Sequence, residues 1–555
     1  MRVPTLLHDY PRQWLRPDVI AGLTAAAVVV PKALAYATVA GLPVQVGLYT
    51  AFVPMVIYAL LGTSRPLSVS TTTTIAILTA SALALAAPGG GSAELAVAAA
   101  TLSVMVGLVL VLATVLRLGF VANFISEPVL TGFKSGIGLV IVVDQVPKLL
   151  GIHIDKTGFF RDLLAIVQHL PQSSLATVLL SLGILALIFG LHRFLPKAPA
   201  PLLAVAAAIV VSALLGLQAT GVEMVGEVPR GLPSFTWPQF EIVRQMWPAA
   251  VGIALMSFTE SIAAGRAFAE PQEPRPLPNR ELLALGLANV GGGLFGAMPA
   301  GGGTSQTAVN RRAGAKTQLA QLVTAAGALA TLLLLAPFIA LMPKAALAAV
   351  VIVYSFDLIK PSEFAAIRRV RTTEFRWALI AFAGVMLLGT LQGIVVAVIV
   401  SLLSLASQAY NPPLYVLGRK RGTDAFRQVS AEHGDDEQWP GLLMMRMEGR
   451  LFFANAERVA DLLWAQVEQS KPKVLLLHCR AIFDVEYTAL KVLDEVEDKL
   501  RRAGCELWLA GLNPAVLEVV ERSKFGATLG HRRMFLNMQV AVEAFQSRHM
   551  QGQAS

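Results

Sequence analysis

Only two of the 555 residues are cysteine, Cys479 and Cys505, and both lie near the C-terminus. Two isolated thiols make neither a disulfide framework nor a cysteine metal site, and they suit a reducing compartment. Charge is also scarce: Asp, Glu, Lys and Arg make up 15% of the chain against 55% hydrophobic residues. Soluble chains carry nearer one charged residue in about four, so most of this one belongs in a membrane. No HExxH, GxSxG, P-loop or clustered metal-ligand pattern occurs, which argues against an enzyme and implies no cofactor. Residues 1–17 hold Arg2, Asp9, Arg12 and Arg16 without a long apolar run, which argues against a removable signal peptide. The N-terminus is expected in the cytoplasm.

The charge that is present is unevenly placed. Residues 1–421 carry 29 Lys and Arg against 17 Asp and Glu, while residues 422–555 carry 16 against 19. The basic excess thus falls in the hydrophobic part, where it suits loops flanking membrane spans rather than nucleic acid.

Apolar segments of about 17–25 residues, enough to cross about 30 Å of hydrocarbon, recur from Asp18 to Tyr410. About fourteen are expected, two of them short or interrupted, and they divide into seven within residues 18–217 and seven within 248–410. With the N-terminus inside, the inner connections hold about 21 Lys and Arg against about 6 outside, among them Arg117, Arg193, Arg266, Arg311, Arg312, Arg368 and Arg369. Seven spans is an odd number, so the second half must start from the opposite side and any repeat is inverted. Each half breaks at its third segment: Gly62 to Pro66 precedes Ser68–Thr74, and Gly291 to Gly303 precedes Thr304–Thr307. Paired breaks in inverted halves point to a substrate site, and helix N-termini with free backbone N–H groups suit an anion.

Beyond Tyr410 the composition changes. Residues 411–440 read as a polar linker. Strand-like runs at 441–447, 474–479 and 506–512 then alternate with helical patterns near 456–470, 487–502 and 514–523, as in a small α/β domain over 441–550.

Several stretches resemble the sulfate permease (SulP) anion transporters, called solute carrier family 26 in animals. They are DVIAGLTAAAVVVPKALAYA at 18–37, GLYTAFVPMVIYALLGTSRPLSVS at 47–70, ISEPVLTGF at 125–133, SFTESIAAGRAFA at 257–269, MPAGGGTSQTAVNRRAGAKTQLA at 298–320 and PKAALAAVVIV at 343–353. VEYTAL at 485–490 resembles the loop–helix junction of a STAS domain. The resemblance implies an α-helical polytopic membrane protein of fourteen spans in two inverted seven-helix repeats. It also implies a mobile core domain moving against a gate domain, a cytosolic α/β STAS domain, and a homodimer.

By motif alignment the resemblance places the anion near Lys32 and Tyr36 on the first span, Thr71 and Thr72 on the third, and Thr304, Ser305 and Gln306 on the tenth. The resemblance also places Glu260 on the eighth span at the site. A carboxyl group in a partly dry site can carry a proton with the anion or coordinate sodium, which makes Glu260 the expected coupling residue, with an interhelical hydrogen bond as its structural reading. Two departures stand out. Many relatives have glutamine at the position of Lys32 and arginine at that of Gln306, as if the positive charge had changed spans. SVSTTTT at 68–74 stands where relatives commonly have a Gly-Pro pair. Each of these residues also has a structural reading: Lys32 pairing with Glu260, Tyr36 as packing, the threonines bonding their own helix. Glu127, Lys134, Asp144 and Gln145 read as structural or interfacial.

The expected function is secondary active transport of a small anion of the sulfate, bicarbonate or dicarboxylate class, coupled to protons or sodium, through elevator-type alternating access. The alternatives are anion exchange, or a non-transporting scaffold or sensor acting through STAS. The expected location is a bacterial inner membrane, embedded in lipid, with the N-terminus and STAS domain cytoplasmic.

Overall fold

In hydrocarbon a backbone has no polar partner but itself, so the Ala-, Leu- and Val-rich runs close into helices. The computed structural model describes residues 10–553, apart from 124–125, 155–157, 197, 227 and 230. Arg2, Asp9 and part of the fifth expected span lie outside the described residues. The chain divides between Leu402 and Leu403 into two compact units.

The first unit begins with α1 (Leu15–Val39), α2 (Val44–Leu61), the two-residue strand β1 (Val69–Ser70), α3 (Thr73–Ala86) and α4 (Ser92–Val115). It continues through α5 (Glu127–Leu150), α6 (Phe159–His169), α7 (Leu175–Phe194), α8 (Ala200–Leu215), α9 (Val243–Ala267) and α10 (Pro278–Leu294). Strand β2 (Gly301–Gly302) leads into α11 (Thr304–Arg312), followed by α12 (Leu319–Leu334), α13 (Ala336–Ala340), α14 (Lys344–Phe356), α15 (Pro361–Val370), α16 (Thr372–Leu388) and α17 (Thr390–Tyr410), whose end crosses into the second unit. Among the described residues, eight helices are long and apolar enough to cross a membrane, and α3, α8 and α12 are shorter apolar helices.

Two groups of helices emerge from the packing. In the first, α1, α2 and α12 pack together, α10 packs on α2 and α4, and α3 and α11 lie against α9. In the second, α5 packs on α14 and α16, and α7 on α8. Small residues permit the closest approaches, the usual device where lipid offers no hydrophobic drive between helices. A Cβ on Gly107 of α4 would lie 2.5 Å from the carbonyl oxygen of Gly286 on α10, and one on Gly132 of α5 would lie 2.0 Å from that of Ala378 on α16.

Buried polar side chains pin the loops beside these helices. Asp18 accepts hydrogen bonds from the backbone N–H of Lys316 and Thr317, from Thr317 Oγ1 and from Tyr10 Oη. Glu281 accepts from Tyr58 Oη and from the N–H and Oγ1 of Thr63. Gln318 Nε2 donates to the carbonyls of Ser64 and Leu67, and Asn310 Nδ2 to that of Pro66. The GTSRP stretch is thus held by its own carbonyls, which a buried loop must satisfy.

The second unit holds a six-stranded sheet in the order β10-β9-β7-β5-β3-β4. These strands are β3 (Leu414–Arg419), β4 (Phe426–Gln428), β5 (Leu442–Met447), β7 (Val474–His478), β9 (Glu506–Ala510) and β10 (Met534–Phe535); β6 (Gly449–Leu451) pairs separately with β8 (Ile482–Val485). Strands β5, β7, β9 and β10 run parallel, while β3 is antiparallel to both β4 and β5. The stretch 411–440, expected as a linker, carries β3 and β4: Arg427 and Arg419 bond Asp436 and Glu437, so its charges are used locally. Helices α18 (Ala456–Ser470) and α19 (Tyr487–Arg502) pack together, and Leu493, Val496 and Leu500 are buried as their spacing predicts. Helices α20 (Pro514–Glu521), α21 (Lys524–Leu529) and α22 (Met538–Gln553) complete the unit.

Candidate anion site

The two breaks in the hydrophobic pattern meet. Strand β1 pairs antiparallel with β2, Val69 opposite Gly302 and Ser70 opposite Gly301, and the N–H of Gly303 donates to the carbonyl of Ser68. Glycine is required here by space: a Cβ on Gly302 would lie 2.6 Å from Leu67 Cδ1 and 2.9 Å from Ser261 Cα. Helix α9 supplies the support. Ser257 Oγ donates to the carbonyl of Ala300 at 2.7 Å, and the N–H of Gly302 donates to Ser261 Oγ at 2.7 Å. Serines four residues apart share one helix face, which explains the spacing in SFTES.

Immediately beyond this clasp α3 and α11 begin. The first N–H groups of a helix have no acceptor within it, so both starts offer donors and positive dipole ends. At α3, Thr72 is the N-cap and accepts from the N–H of Ile75 at 3.3 Å. A cavity of about 750 Å³ opens here, lined by Lys32, Tyr36, Thr71–Thr74, Lys134, Glu260, Thr304–Gln306 and Tyr354, among others.

The predicted residues take distinct places around it. Lys32 Nζ donates to Ser305 Oγ at 2.5 Å and lies 3.8 Å from the centroid of the Tyr354 ring. Tyr36 Oη accepts from Thr73 Oγ1 at 2.7 Å, tying α1 to the start of α3. Thr304 and Ser305 are exposed to the cavity, whereas Gln306 is buried. Its Nε2 donates to the Ser68 carbonyl at 2.9 Å, and its Oε1 accepts from Ser70 Oγ at 3.1 Å. Gln306 therefore secures the clasp. Thr71 Oγ1 is buried at the cavity wall without a hydrogen-bond partner among the described residues.

Glu260 accepts from Thr72 Oγ1 at 3.1 Å and Thr74 Oγ1 at 3.0 Å. Its cation is not Lys32: Lys134 Nζ on α5 lies 3.5 Å from Glu260 Oε1. That ion pair joins the two packing groups of helices, a role the sequence reading of Lys134 as structural or interfacial did not specify. Sequence reasoning also missed Tyr354, Asp357, Thr131, Lys360 and Glu363, all on the cavity wall. Asp357 and Lys360 directly follow an apolar run, which reads as an ordinary interfacial loop; only their order after the PKAALAAVVIV stretch could have singled them out.

Residues 15–381 match the sulfate permease family, and residues 435–541 match the STAS domain. The chain belongs to the sulfate permease family. This permease is an integral membrane anion transporter with a C-terminal STAS domain, not an enzyme. It is 35% identical over 98% of its length to a Mycobacterium tuberculosis protein named a probable sulfate transporter, covering 97% of that protein. In fold it is similar to the murine solute carrier 26 family member A9 anion transporter in the inward-facing state, with a TM-score of 0.90 at 22% identity, covering 98% of this chain and 94% of that one. It is also similar to the transmembrane domain of a cyanobacterium bicarbonate transporter, with a TM-score of 0.61 at 26% identity, covering 70% of this chain and 98% of that one.

Proposed function

We propose that this permease is a secondary active transporter that holds a small oxyanion, sulfate foremost, between the starts of α3 and α11. The observation that carries this reading is the β1–β2 clasp, which points two helix N-termini and the Lys32–Ser305 pair into one cavity. Thr71, Thr304 and Ser305 supply hydroxyl donors, Thr72 supplies a backbone donor because its hydroxyl is given to Glu260, Lys32 supplies the charge, and Tyr36 and Gln306 hold those donors in place. Sulfate is placed first because the 35%-identical relative is named for it; bicarbonate and dicarboxylates remain within the class.

In this reading the chain makes fourteen spans in two inverted repeats, with α1–α4 and α9–α12 as the moving core and the other spans as the gate. Glu260 is the coupling site for a proton or sodium, and the core moves past the gate as an elevator. The Lys134–Glu260 pair spans core and gate, so the movement must break it. The protein works as a homodimer in lipid, in a bacterial inner membrane, with the STAS domain in the cytoplasm. The test is uptake of labelled sulfate, bicarbonate and a dicarboxylate into proteoliposomes, with imposed proton and sodium gradients. Gradient-driven accumulation of one anion supports symport. Uptake only against a loaded counter-anion replaces symport by exchange, and no flux from folded protein favours a scaffold.

A further inference from the structure

Helix α15 and the start of α16 carry Arg368, Arg369, Arg371 and Arg376 within a short stretch whose acids are Glu363 and Glu374. Both acids are already engaged. Glu363 takes Lys360 at 2.8 Å and Thr131 at 3.2 Å, and Glu374 takes Arg371 at 3.4 Å. Among the described residues, Arg368, Arg369 and Arg376 have no carboxylate within ion-pair distance. Arg368 lies over the Phe375 ring at 5.9 Å, a contact that orients the guanidinium without neutralising it.

A groove of about 520 Å³ opens beside these arginines, lined by Phe364, Ala365, Arg368, Arg369 and Phe375. Its floor is fixed by the edge-on contacts of Phe364 with Phe375 and Phe382. Val370, Leu379 and Ile380 are exposed nearby in sequence on the same two helices, so apolar surface continues from the basic end. Two uncompensated guanidiniums at the end of a membrane helix, next to apolar surface, complement a molecule with an anionic head and a hydrocarbon tail.

We infer that this groove binds the headgroup phosphate of an anionic phospholipid, held by Arg368 and Arg369. That the lipid comes from the cytosolic leaflet rests on the orientation proposed above; the binding itself does not. The N-cap and first turn of α15 present Lys360 and Glu363 to the transport cavity, and ten helical residues span only about 15 Å. A headgroup held at one end of α15 therefore steadies the cavity wall at the other.

The test uses the purified full chain and a photoreactive phosphatidylglycerol, with phosphatidylcholine as competitor, and maps the labelled peptides. Labelling of the wild type within residues 364–376 is expected, and labelling only elsewhere overturns the inference. The variant Arg368→Gln/Arg369→Gln is expected to bind phosphatidylglycerol about thirtyfold more weakly, at about one kcal/mol per arginine near a charged surface. Arg193→Gln, which removes a charge at the end of α7, is expected to bind as the wild type does. Unchanged binding in the double variant, or displacement of the lipid by millimolar inorganic phosphate, contradicts a lipid site. None of these readings requires the protein to transport, so a failed flux assay leaves them intact.

Discussion

Lys32 and Ser305, 273 residues apart in sequence, share a hydrogen bond of 2.5 Å at the start of α11. It places the ammonium beside a helix N-terminus, with the Asp357 carboxylate of the same cavity wall acting on it electrostatically, so that the charge faces the cavity next to backbone donors. Replacing Lys32 by Gln removes the charge but keeps a donor. A charge-assisted hydrogen bond contributes about 1.5–3 kcal/mol, so the half-saturating anion concentration should rise about 10- to 150-fold. Concentration-dependent uptake in proteoliposomes measures it. Lys32→Arg is not expected to restore the wild type, because a planar fork does not occupy the space of a point donor.

The Glu260→Gln variant keeps the hydrogen-bonding shape towards Thr72 and Thr74 but removes the carboxylate. Anion counterflow should persist while accumulation driven by a proton or sodium gradient disappears. Gradient-driven accumulation surviving in this variant excludes Glu260 as the coupling site.

Lys134→Gln removes the cation that joins α5 to Glu260 on α9. If the core moves against the gate, this variant favours the other orientation, and a distance measured between spin labels on the two helix groups should shift towards it. The same distance distribution in wild type and variant would deny the pair any part in the movement.

Gln306 is buried, and a Cβ on Gly303 would lie 2.7 Å from its Cδ. Gln306→Arg is therefore expected to open the β1–β2 clasp and lower stability by about 1–3 kcal/mol through overpacking, even though it brings a cation towards the site. A melting curve of the purified variant decides between this outcome and an unperturbed fold.

In the STAS domain, burial, followed by the Arg446 and Arg480 guanidiniums, pushes the His478 imidazole down to about 4 from its usual 6.5. The folded domain thus favours neutral His478, whose Nδ1 accepts from Arg446 Nε. Its stabilising contribution is complete above about pH 6.5 and is lost as pH falls towards 4. Hydrogen exchange in β5, β7 and β9 should show protection falling over that window in the wild type, and a smaller fall in His478→Gln. Equal pH dependence in both would remove His478 from the account.

Much of this architecture is legible in the sequence because membranes impose strong patterns. Apolar length marked the helices, and the Gly- and Pro-rich breaks marked both α3 and α11 as interrupted segments, but the strand pairing that joins the two breaks was not legible. In the STAS domain β5, β7 and β9 and helices α18, α19 and α20 followed from alternation, whereas the short strands β6, β8 and β10 and the helices α21 and α22 did not, nor did β3 and β4, whose charged residues pair with Asp436 and Glu437 rather than forming an apolar run. Side-chain partners were less visible. Nothing in the local pattern says that Glu260 takes Lys134 rather than Lys32, or that Gln306 turns towards Ser68 instead of the cavity, because those choices depend on which helices become neighbours. Tyr354 illustrates the same limit: an aromatic at the end of an apolar run looks like packing until the Lys32 ammonium lies over its ring.

The most direct test of the central claim is saturable uptake of labelled sulfate into proteoliposomes, comparing wild type with Lys32→Gln at matched folded protein. The site described above predicts concentrative uptake by the wild type under a proton or sodium gradient, and a much weaker anion dependence in the variant. Equal uptake by the two proteins would contradict an anion held between α3 and α11 at Lys32 and Ser305.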